Sequence, residues 1–196
     1  MARNPIQVRD AVPADAGALV GFWRDTPEAQ PLPPAPDVAS AERAIGHLAL
    51  DSEQRLLVAV VDGQVVGTSH LARTPLSPIH EEPAVRVSYL FVREGHRRRG
   101  VGRALLGAAT AWADEKQTAH LMTNVPTTSR DGNRFLARLG MASITTVRAI
   151  RVCALQERLA RAETAASADG PIIVERLRTL RRRQASLRSA GRKVPG

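Results

Sequence analysis

The feature that most constrains this chain is a short basic turn with two glycines, set between an apolar strand and an amphipathic helix. The turn reads Arg-Arg-Arg-Gly-Val-Gly over residues 97–102, and the preceding strand is predicted over 85–92. A helix N-terminus carries N–H groups without intrahelical partners, and glycine lets a ligand approach the backbone closely. The pattern predicts a phosphate- or pyrophosphate-binding junction. The apolar face of the helix comprises Val101, Ala104, Leu105, Ala108, Ala109 and Trp112.

Two other phosphate-binding motifs fit this turn poorly. A Walker loop ends in Gly-Lys followed by Ser or Thr, and the sequence contains no such ending. A dinucleotide fingerprint needs a small residue where Leu105 stands, within βαβ units. A solvated basic loop that caps a core helix is the simpler alternative. The spacing Arg-x-x-Gly-x-Gly between a strand and a helix favours the functional interpretation.

Hydrophobic periodicity predicts a mixed α/β sheet around this junction. Pro13 suits the first turn of a helix, Asp62-Gly63 is typical of a hairpin turn, and Gly140 is a candidate left-handed helix end. The predicted order is strand 6–9, a helix from Pro13, helix 40–50, strand 56–61, strand 64–71, a Pro-containing loop 72–84, strand 85–92, the central helix, strand 120–125, helix 129–139 and strand 144–152.

Positive charge is concentrated at the end of the chain. The formal net charge is +9, and residues 171–196 alone hold eight Lys or Arg and one acid. The high positive charge therefore belongs to a terminal segment and does not indicate a nucleic-acid-binding body. Aromatic residues make up only 3% of the chain, which argues against an RNA-binding sheet with aromatic platforms. The core must be built from Val, Leu, Ile and Ala.

We divide the chain into a domain over 1–153 and a helical, Arg-rich extension over 154–196. Two amphipathic stretches, 154–166 and 171–190, are predicted to pair as a helical hairpin or to contact a second subunit in a homodimer. An alternative is that residues 172–174 add an edge strand to the sheet. The basic charge of 171–196 would suit nucleic acid or an anionic surface, but a solvated or oligomerising helix is the simpler interpretation.

The sequence also bears on compartment and metal binding. Cys153 is the only cysteine, so an intramolecular disulfide and a cysteine-based zinc site are both excluded. His47, His70 and His120 are scattered without ligand spacing, so we expect no metal. The N-terminal residues lack an apolar signal core, and no run approaches about 18 apolar residues. We expect a cytoplasmic protein without a membrane span.

These motifs resemble those of the GNAT family of N-acetyltransferases. Its signature, Arg or Gln followed by x-x-Gly-x-Gly or Ala, is matched by Arg97, Gly100 and Gly102. Residues 90–96 resemble the end of the fourth strand of that family, and residues 8–15 its first strand and helix. The segment 135–141 resembles a later Phe-Tyr-x-x-x-Gly-Phe stretch. The resemblance covers about residues 6–153 and implies the mixed-sheet acyl-CoA N-acyltransferase fold.

The resemblance implies that acetyl-CoA is a co-substrate. In this family the fourth and fifth strands diverge, and the pantetheine inserts between them like an extra strand. Backbone groups of Leu90, Phe91 and Val92 would then pair with the pantetheine. Backbone N–H groups from Arg98 to Arg103 would hold the pyrophosphate. The expected cofactor-binding set is Leu90, Phe91, Val92, Arg97, Arg98, Arg99, Gly100, Val101, Gly102, Arg103 and Asn133.

The implied reaction is attack of a primary amine on the acetyl thioester. An alkylamine has a pKa of about 10.4, so its deprotonation at pH 7 costs about 4–5 kcal/mol and requires a base or a water chain. The oxyanion needs a donor, for which the N–H of Val92 is the natural candidate. The tyrosine that protonates the leaving thiolate in many members is replaced by Leu136. The glutamate base that some members carry on the fourth strand is replaced by Arg86.

With both usual groups missing, the catalytic candidates come from nearby positions. We select Tyr89, the only tyrosine, Glu82 before the fourth strand, and Ser129, where many members have an asparagine. Sheet packing is the alternative for Tyr89, and a solvated loop is the alternative for Glu82. His80 and Glu81 share that loop. Because thiolates leave readily, with a pKa of about 8.5, the loss of the acid does not preclude turnover.

The acceptor amine is not encoded in any recognisable motif. In this family it depends largely on the loop between the first two helices, here the proline-rich 26–37 with Asp25, Glu28 and Asp37 as acids. The expected function is acetyl-CoA-dependent N-acetylation of a small molecule or a protein. The alternatives are a catalytically weak acyl-CoA-binding sensor and a nucleic-acid-associated protein anchored by the basic segment.

Overall fold

A five-stranded mixed sheet forms the centre of the protein. The structure is a computed structural model that describes residues 5–25, 35–126, 128–145 and 150–166. Neighbouring strands follow chain order and are antiparallel, except that the fifth is parallel to the fourth. The mixed α/β prediction is thereby confirmed. The strands are β1 (Gln7–Asp10), β2 (Gln54–Val61), β3 (Gln64–Pro75), β4 (Pro83–Val92) and β5 (His120–Thr123).

Helices from the part of the chain before residue 116 cover both faces of this sheet. A short 3-10 turn over Pro13–Asp15 leads into the first helix, with Pro13 in the first turn as its fixed φ allows. Asp37 caps the second helix, because its side chain accepts from the N–H of Ser40 at 2.8 Å. The helices are α1 (Ala16–Arg24), α2 (Val38–Leu48), α3 (Val101–Glu115), α4 (Arg130–Arg138) and α5 (Val152–Ala166).

Alternating residues of β2 separate two apolar cores. Leu57 belongs to the larger core, which is formed with α3, whereas Val58 belongs to the smaller core beneath α1 and α2. Successive strand residues point to opposite faces, so one apolar strand serves both layers. The larger core comprises Leu57, Ala59, Val66, Leu71, Val85, Val87, Val101, Leu105, Leu106, Ala109, Trp112, Ala113 and Leu136.

An ion pair joins β1 to the entry of α1. Arg9 donates from Nη1 and Nη2 to the two carboxylate oxygens of Asp15 at 2.7 and 2.9 Å. Asp15 is buried and also accepts the N–H of Val12 at 2.8 Å. The hydrogen bonds from Arg9 are the main reason that the pKa of Asp15 lies below its usual value.

Two local turn predictions are confirmed. Asp62 and Gly63 have φ of 53° and 73°, which is the left-handed pair that a two-residue hairpin between β2 and β3 requires. Gly140 has φ of 81° just after α4, and the N–H of Met141 donates back to the carbonyl of Leu136 at 3.1 Å.

The loop predicted over 72–84 is shorter in the structure. β3 continues to Pro75 and β4 starts at Pro83, and these two prolines pair in register. Because each proline lies at a strand end, its missing N–H interrupts no inner part of the ladder. The connection is therefore only 76–82.

The predicted strand over 144–152 is not formed at the residues of this stretch that the structure describes. Residues 144, 145, 150 and 151 have no strand structure, and Val152 begins α5. Residues 146–149 lie outside the description. An alternating β-branched stretch forms a strand only where a neighbouring strand completes its hydrogen bonds, and sequence propensity does not supply that partner.

The chain separates into two compact units, Met1–Arg148 and Ala149–Gly196. The described part of the second unit is dominated by α5, in which Cys153, Leu155 and Leu159 are exposed. The predictions for 171–196 lie outside the described residues. Among the described helices, none combines the length and apolar character needed to cross a bilayer.

Candidate functional site

An open edge in the sheet marks the candidate site. β4 pairs with β5 only from Ala84 to Val87, opposite His120 to Thr123. The last bond along this edge runs from the N–H of Asn124 to the carbonyl of Val87 at 3.2 Å. Within the described residues, 88–92 therefore have no strand partner on that side. This edge of β4 therefore offers unpaired backbone groups to which an extended ligand could bind.

A β-bulge lies where β4 loses its partner. Thr68 pairs with Phe91 and His70 pairs with Ser88, so Ser69 alone stands opposite both Tyr89 and Leu90. Tyr89 takes a φ of 54°, which is unfavourable for a residue with a bulky side chain. Bulges of this kind redirect side chains at functional sites. The Tyr89 ring is accordingly turned outward and is 45% exposed.

The backbone of Val92 faces the open edge. The N–H of Arg93 donates to the carbonyl of Val66 at 2.9 Å, so Val92 and Gly67 form a pair without mutual hydrogen bonds. In such a pair both N–H groups point away from each other. The N–H of Val92 is thus directed toward the gap. Its carbonyl accepts from Nε of Arg97 at 3.3 Å.

The glycine-containing turn adopts a conformation that exposes successive amides. Arg98 and Gly100 have φ of 63° and 96°, and Gly100 is the N-cap of α3. Within the described residues, the backbone N–H groups of 98–103 donate to no backbone carbonyl, whereas Ala104 donates to Gly100 at 2.9 Å. Concave runs of N–H groups at a helix N-terminus bind anions. These residues suit a diphosphate.

Close packing fixes the position of this turn relative to the sheet. A Cβ at Gly67 would lie 2.8 Å from Cγ1 of Val101 and 3.0 Å from the carbonyl of Phe91. Only glycine allows α3 to begin this close to β3. A Cβ at Gly102 would meet Phe135 at 3.5 Å, which is an ordinary contact.

The arginines around the turn have different partners. The guanidinium of Arg93 lies 5.0 Å above the ring centroid of Phe22, and its Nε donates to the carbonyl of Val65. Arg98 approaches Asp131 at 4.0 Å, and both side chains are largely exposed. Arg99 and Arg103 are exposed. Positive charge therefore surrounds the free amides.

An aromatic surface, defined as Trp23, Tyr89 and Phe91, borders the bulge. The rings of Trp23 and Tyr89 are 5.3 Å apart, and those of Tyr89 and Phe91 are 6.4 Å apart. The sequence did not indicate this cluster, because Trp23 lies far from Tyr89 and Phe91 in the chain. An aromatic face beside the gap can attract a cation or stack on a planar group.

Ser129 and Asn133 are both engaged in the structure of α4. Ser129 is the N-cap and accepts from the N–H of Gly132 at 3.4 Å. Asn133 donates to the carbonyls of Ser129 at 2.8 Å and Pro126 at 3.1 Å. Their predicted catalytic and cofactor-binding roles stay predictions.

Glu82 is not brought to the open edge. It lies at the entry of β4, seven residues before Tyr89, which corresponds to about 23 Å along an extended strand. His80 and Glu81 share its loop, where Nδ1 of His80 contacts Oγ of Ser77 at 2.6 Å. The loop candidates and Tyr89 thus occupy opposite ends of β4.

His70 is the titratable group that the register brings close to the bulge, and sequence reasoning set it aside as scattered. It stands opposite Ser88 in β4 and Leu56 in β2. Leu56 packs with the core beneath α1 and α2, so His70 lies on the face of the sheet where α1 brings Trp23 to Tyr89. Its Nε2 lies 2.9 Å from Oε1 of Gln54, and burial lowers its pKa.

Comparison with known proteins agrees with this geometry. The Acetyltransferase (GNAT) family matches residues 19–141, more than half of the chain. No curated protein matches the sequence significantly.

Several solved structures share the fold. A transcriptional regulator from Bacillus halodurans is 20% identical with a TM-score of 0.65, and the alignment covers 75% of this chain and 99% of that one. A ribosomal-protein-alanine N-acetyltransferase from Brucella melitensis is 26% identical with a TM-score of 0.60, over 75% and 99%. An aminoglycoside N-acetyltransferase in complex with CoA is 16% identical with a TM-score of 0.62, over 76% and 96%.

Proposed function

This chain belongs to the GNAT family of acetyltransferases, and on that premise we propose that it transfers the acetyl group of acetyl-CoA to a primary amine of a small molecule or a protein. The observation that carries the proposal is the open edge of β4, which leads to a helix N-terminus with free amides. The combination suits a ligand with an extended arm and a diphosphate. Neither feature alone has that specificity.

The fit of the residues to acetyl-CoA supports this proposal. The edge of Leu90, Phe91 and Val92 offers backbone groups to the amides of pantetheine, which would extend the sheet as an added strand. The N–H groups of 98–103 and the exposed guanidinium groups of Arg99 and Arg103 suit the diphosphate. Acetyl-CoA supplies an activated acyl group as a thioester.

The protein's own groups have two tasks in the reaction. The acceptor amine must lose a proton, which requires a base near the bulge. The carbonyl oxygen of the substrate gains negative charge, and the N–H of Val92, which faces the gap, is the proposed donor to it. Leu136 is buried and has no proton to offer, so the leaving thiolate takes its proton from elsewhere.

The acceptor is proposed to approach across the aromatic surface. Tyr89 is exposed beside Trp23 and Phe91, which suits a single ammonium group carried on an apolar or planar body. Arg86, Arg97 and Arg98 make the surroundings of the gap basic, which disfavours polycationic acceptors. We propose a monoamine, and Tyr89 contributes to its positioning.

Two measurements on the full chain test this function. Titration calorimetry with acetyl-CoA measures binding, and release of the CoA thiol measures transfer to ethylamine, benzylamine, glucosamine 6-phosphate and an alanine-terminated peptide. We expect binding and turnover with at least one amine. Binding without turnover would instead support the acyl-CoA sensor, and absence of binding would refute the proposal.

A further inference from the structure

We propose that His70 accepts the proton from the acceptor amine in this reaction. The inference rests on the proposed acetyltransferase function and names the missing base. It is carried by the register of β3 against the bulge in β4, by the shared face of the sheet, and by the hydrogen bond that orients the imidazole.

The position of His70 is set by the ladder. Its direct partner in β4 is Ser88, so the two Cβ atoms lie about 5 Å apart. The last residue of β4 paired with β5 is Val87, so the edge opens at Ser88, and the bulge begins at the next residue, Tyr89. The imidazole therefore lies beside the point at which the gap opens, whereas Glu82 lies at the far end of the strand.

The orientation of the ring leaves one nitrogen available. Oε1 of Gln54 can only accept, so Nε2 of His70 carries the hydrogen of their 2.9 Å bond. Nδ1 then keeps its lone pair. Gln54 thus acts as a positioning residue that selects the tautomer able to receive a proton.

The surroundings keep the ring uncharged. Desolvation by burial lowers the pKa of His70, so the neutral form predominates at pH 7. Its register neighbours on this face are Gln54 and Leu56 of β2, and Ser88 and Arg86 of β4. Arg86 is the charged group among these four. A neutral imidazole is the form that can act as a base.

Acetyl transfer to the amine conserves protons and bonds. The ammonium of the acceptor gives one proton to Nδ1 of His70, and the free amine forms the C–N bond to the acetyl carbon while the C–S bond breaks. The second proton lost from nitrogen ends on the thiolate sulfur, which leaves as the CoA thiol. Imidazolium then releases its proton to water. The products are the acetamide, the CoA thiol and one proton.

The test compares two matched variants on the amine that the unmodified chain acetylates fastest in the panel above. His70→Gln should lower kcat by about 10²–10⁴-fold, the usual contribution of a general base. The affinity for acetyl-CoA should stay unchanged. His120→Gln, the same substitution at an exposed position of β5, should keep kcat within about twofold. Unchanged kcat in His70→Gln would overturn the proposal.

The pH profile separates a proton acceptor from a structural residue. In the unmodified chain kcat/KM should rise through an acidic limb below pH 6.5, the ordinary His value, and His70→Gln should lose that limb. A limb that persists contradicts the assignment. If no amine is acetylated although acetyl-CoA binds, the proposed function fails first, and the role of His70 falls with it.

A measurement on the unmodified protein covers the case in which His70→Gln does not fold. Nitrogen NMR of labelled histidine should give the Nε2–H tautomer and a His70 pKa equal to that of the kinetic limb. An Nδ1–H tautomer, or a pKa that differs from the limb, would refute the proposal.

Discussion

Gly67 of β3 and Val101 of α3 approach so closely that a Cβ at Gly67 would lie 2.8 Å from Cγ1 of Val101. Real Cβ atoms essentially never approach this closely, so we expect any other residue at 67 to push Val101 and the start of α3 away from β3. Since α3 begins at Val101, the shift would displace the amides of the turn. The geometry that we propose for diphosphate binding therefore depends on a glycine outside the signature motif.

Gly67→Ala should accordingly impair both stability and ligand binding. Overpacking of a close contact costs about 1–3 kcal/mol, and we expect the free energy of unfolding to fall by that amount. The Kd for acetyl-CoA should rise at least tenfold. Urea unfolding and titration calorimetry measure the two effects.

Gly107→Ala is the matched control for this variant. Gly107 lies in α3 with nothing within 4 Å of a Cβ, so alanine should raise stability by up to about 1 kcal/mol and leave the Kd unchanged. An unaltered Kd in folded Gly67→Ala would contradict the positioning argument.

A negative charge introduced in the first turn of α3 tests the proposed diphosphate site directly. Gly102→Glu has room for its Cβ, and a carboxylate at a helix N-terminus is favourable by about 0.3–1 kcal/mol. The variant should fold normally, yet its negative charge should abolish acetyl-CoA binding. Gly107→Glu, on the same helix, should bind like the unmodified chain. Thermal shift with and without acetyl-CoA gives both results, because a bound ligand raises apparent stability.

The sequence predicted the fold where the signal was local. The turn at Asp62-Gly63, the end of α4 at Gly140 and the amphipathic α3 each depend on residues close together in the chain. The predicted strand over 144–152 depended on a partner that propensity cannot supply. The lengths of β3 and β4 were underestimated, because Pro75 and Pro83 were interpreted as loop residues although they close the ladder.

The candidate site could be predicted only in part for a related reason. The turn that we propose to bind phosphate is one continuous motif, so its spacing alone was enough to predict it. His70, Tyr89 and Trp23 come together through a bulge and a helix packing that no local pattern encodes. Candidates chosen by proximity in sequence, such as Glu82, lie at the opposite end of β4 from the bulge.

We expect the aromatic surface to contribute to binding of the acceptor amine. Trp23→Ala should remove the ring that lies 5.3 Å from Tyr89 and weaken binding of the amine. We expect KM for the amine to rise about 5- to 30-fold, which corresponds to about 1–2 kcal/mol for a desolvated cation–π contact. The Kd for acetyl-CoA should not change. Equal increases in both constants would point to a general disturbance of the fold instead.

A carboxylate beside His70 should raise the pKa of the imidazole, which is opposite to the effect of burial. Gln54→Glu places a negative charge on the Nε2 side of the ring and favours imidazolium, so the pKa of His70 should rise. The acidic limb of kcat/KM should move to higher pH by the same amount. In the unmodified protein the pKa of folded-state His70 lies below its ordinary value of 6.5. Protonation of His70 therefore destabilises the folded state as the pH falls below 6.5. Gln54→Glu should reduce this loss of stability at acidic pH, whereas an unmoved limb would contradict the pairing.

The ion pair between Arg9 and Asp15 gives a pH-dependent prediction remote from the site. Because the pKa of Asp15 is lowered in the folded state, its stabilisation is complete above the ordinary value of 3.8 and is lost as the pH falls through the folded-state pKa. Asp15→Asn should cost about 2 kcal/mol at pH 7, since charge-assisted hydrogen bonds from Arg9 are removed. The cost should shrink as the pH falls below 3.8 and through the lowered folded-state pKa, because the carboxyl of the unmodified protein then becomes protonated. Asp114→Asn, at an exposed position of α3, is the control and should change stability by less than about 0.5 kcal/mol. Urea unfolding across this pH range measures the difference, and a cost independent of pH would show that shape rather than charge holds β1 to α1.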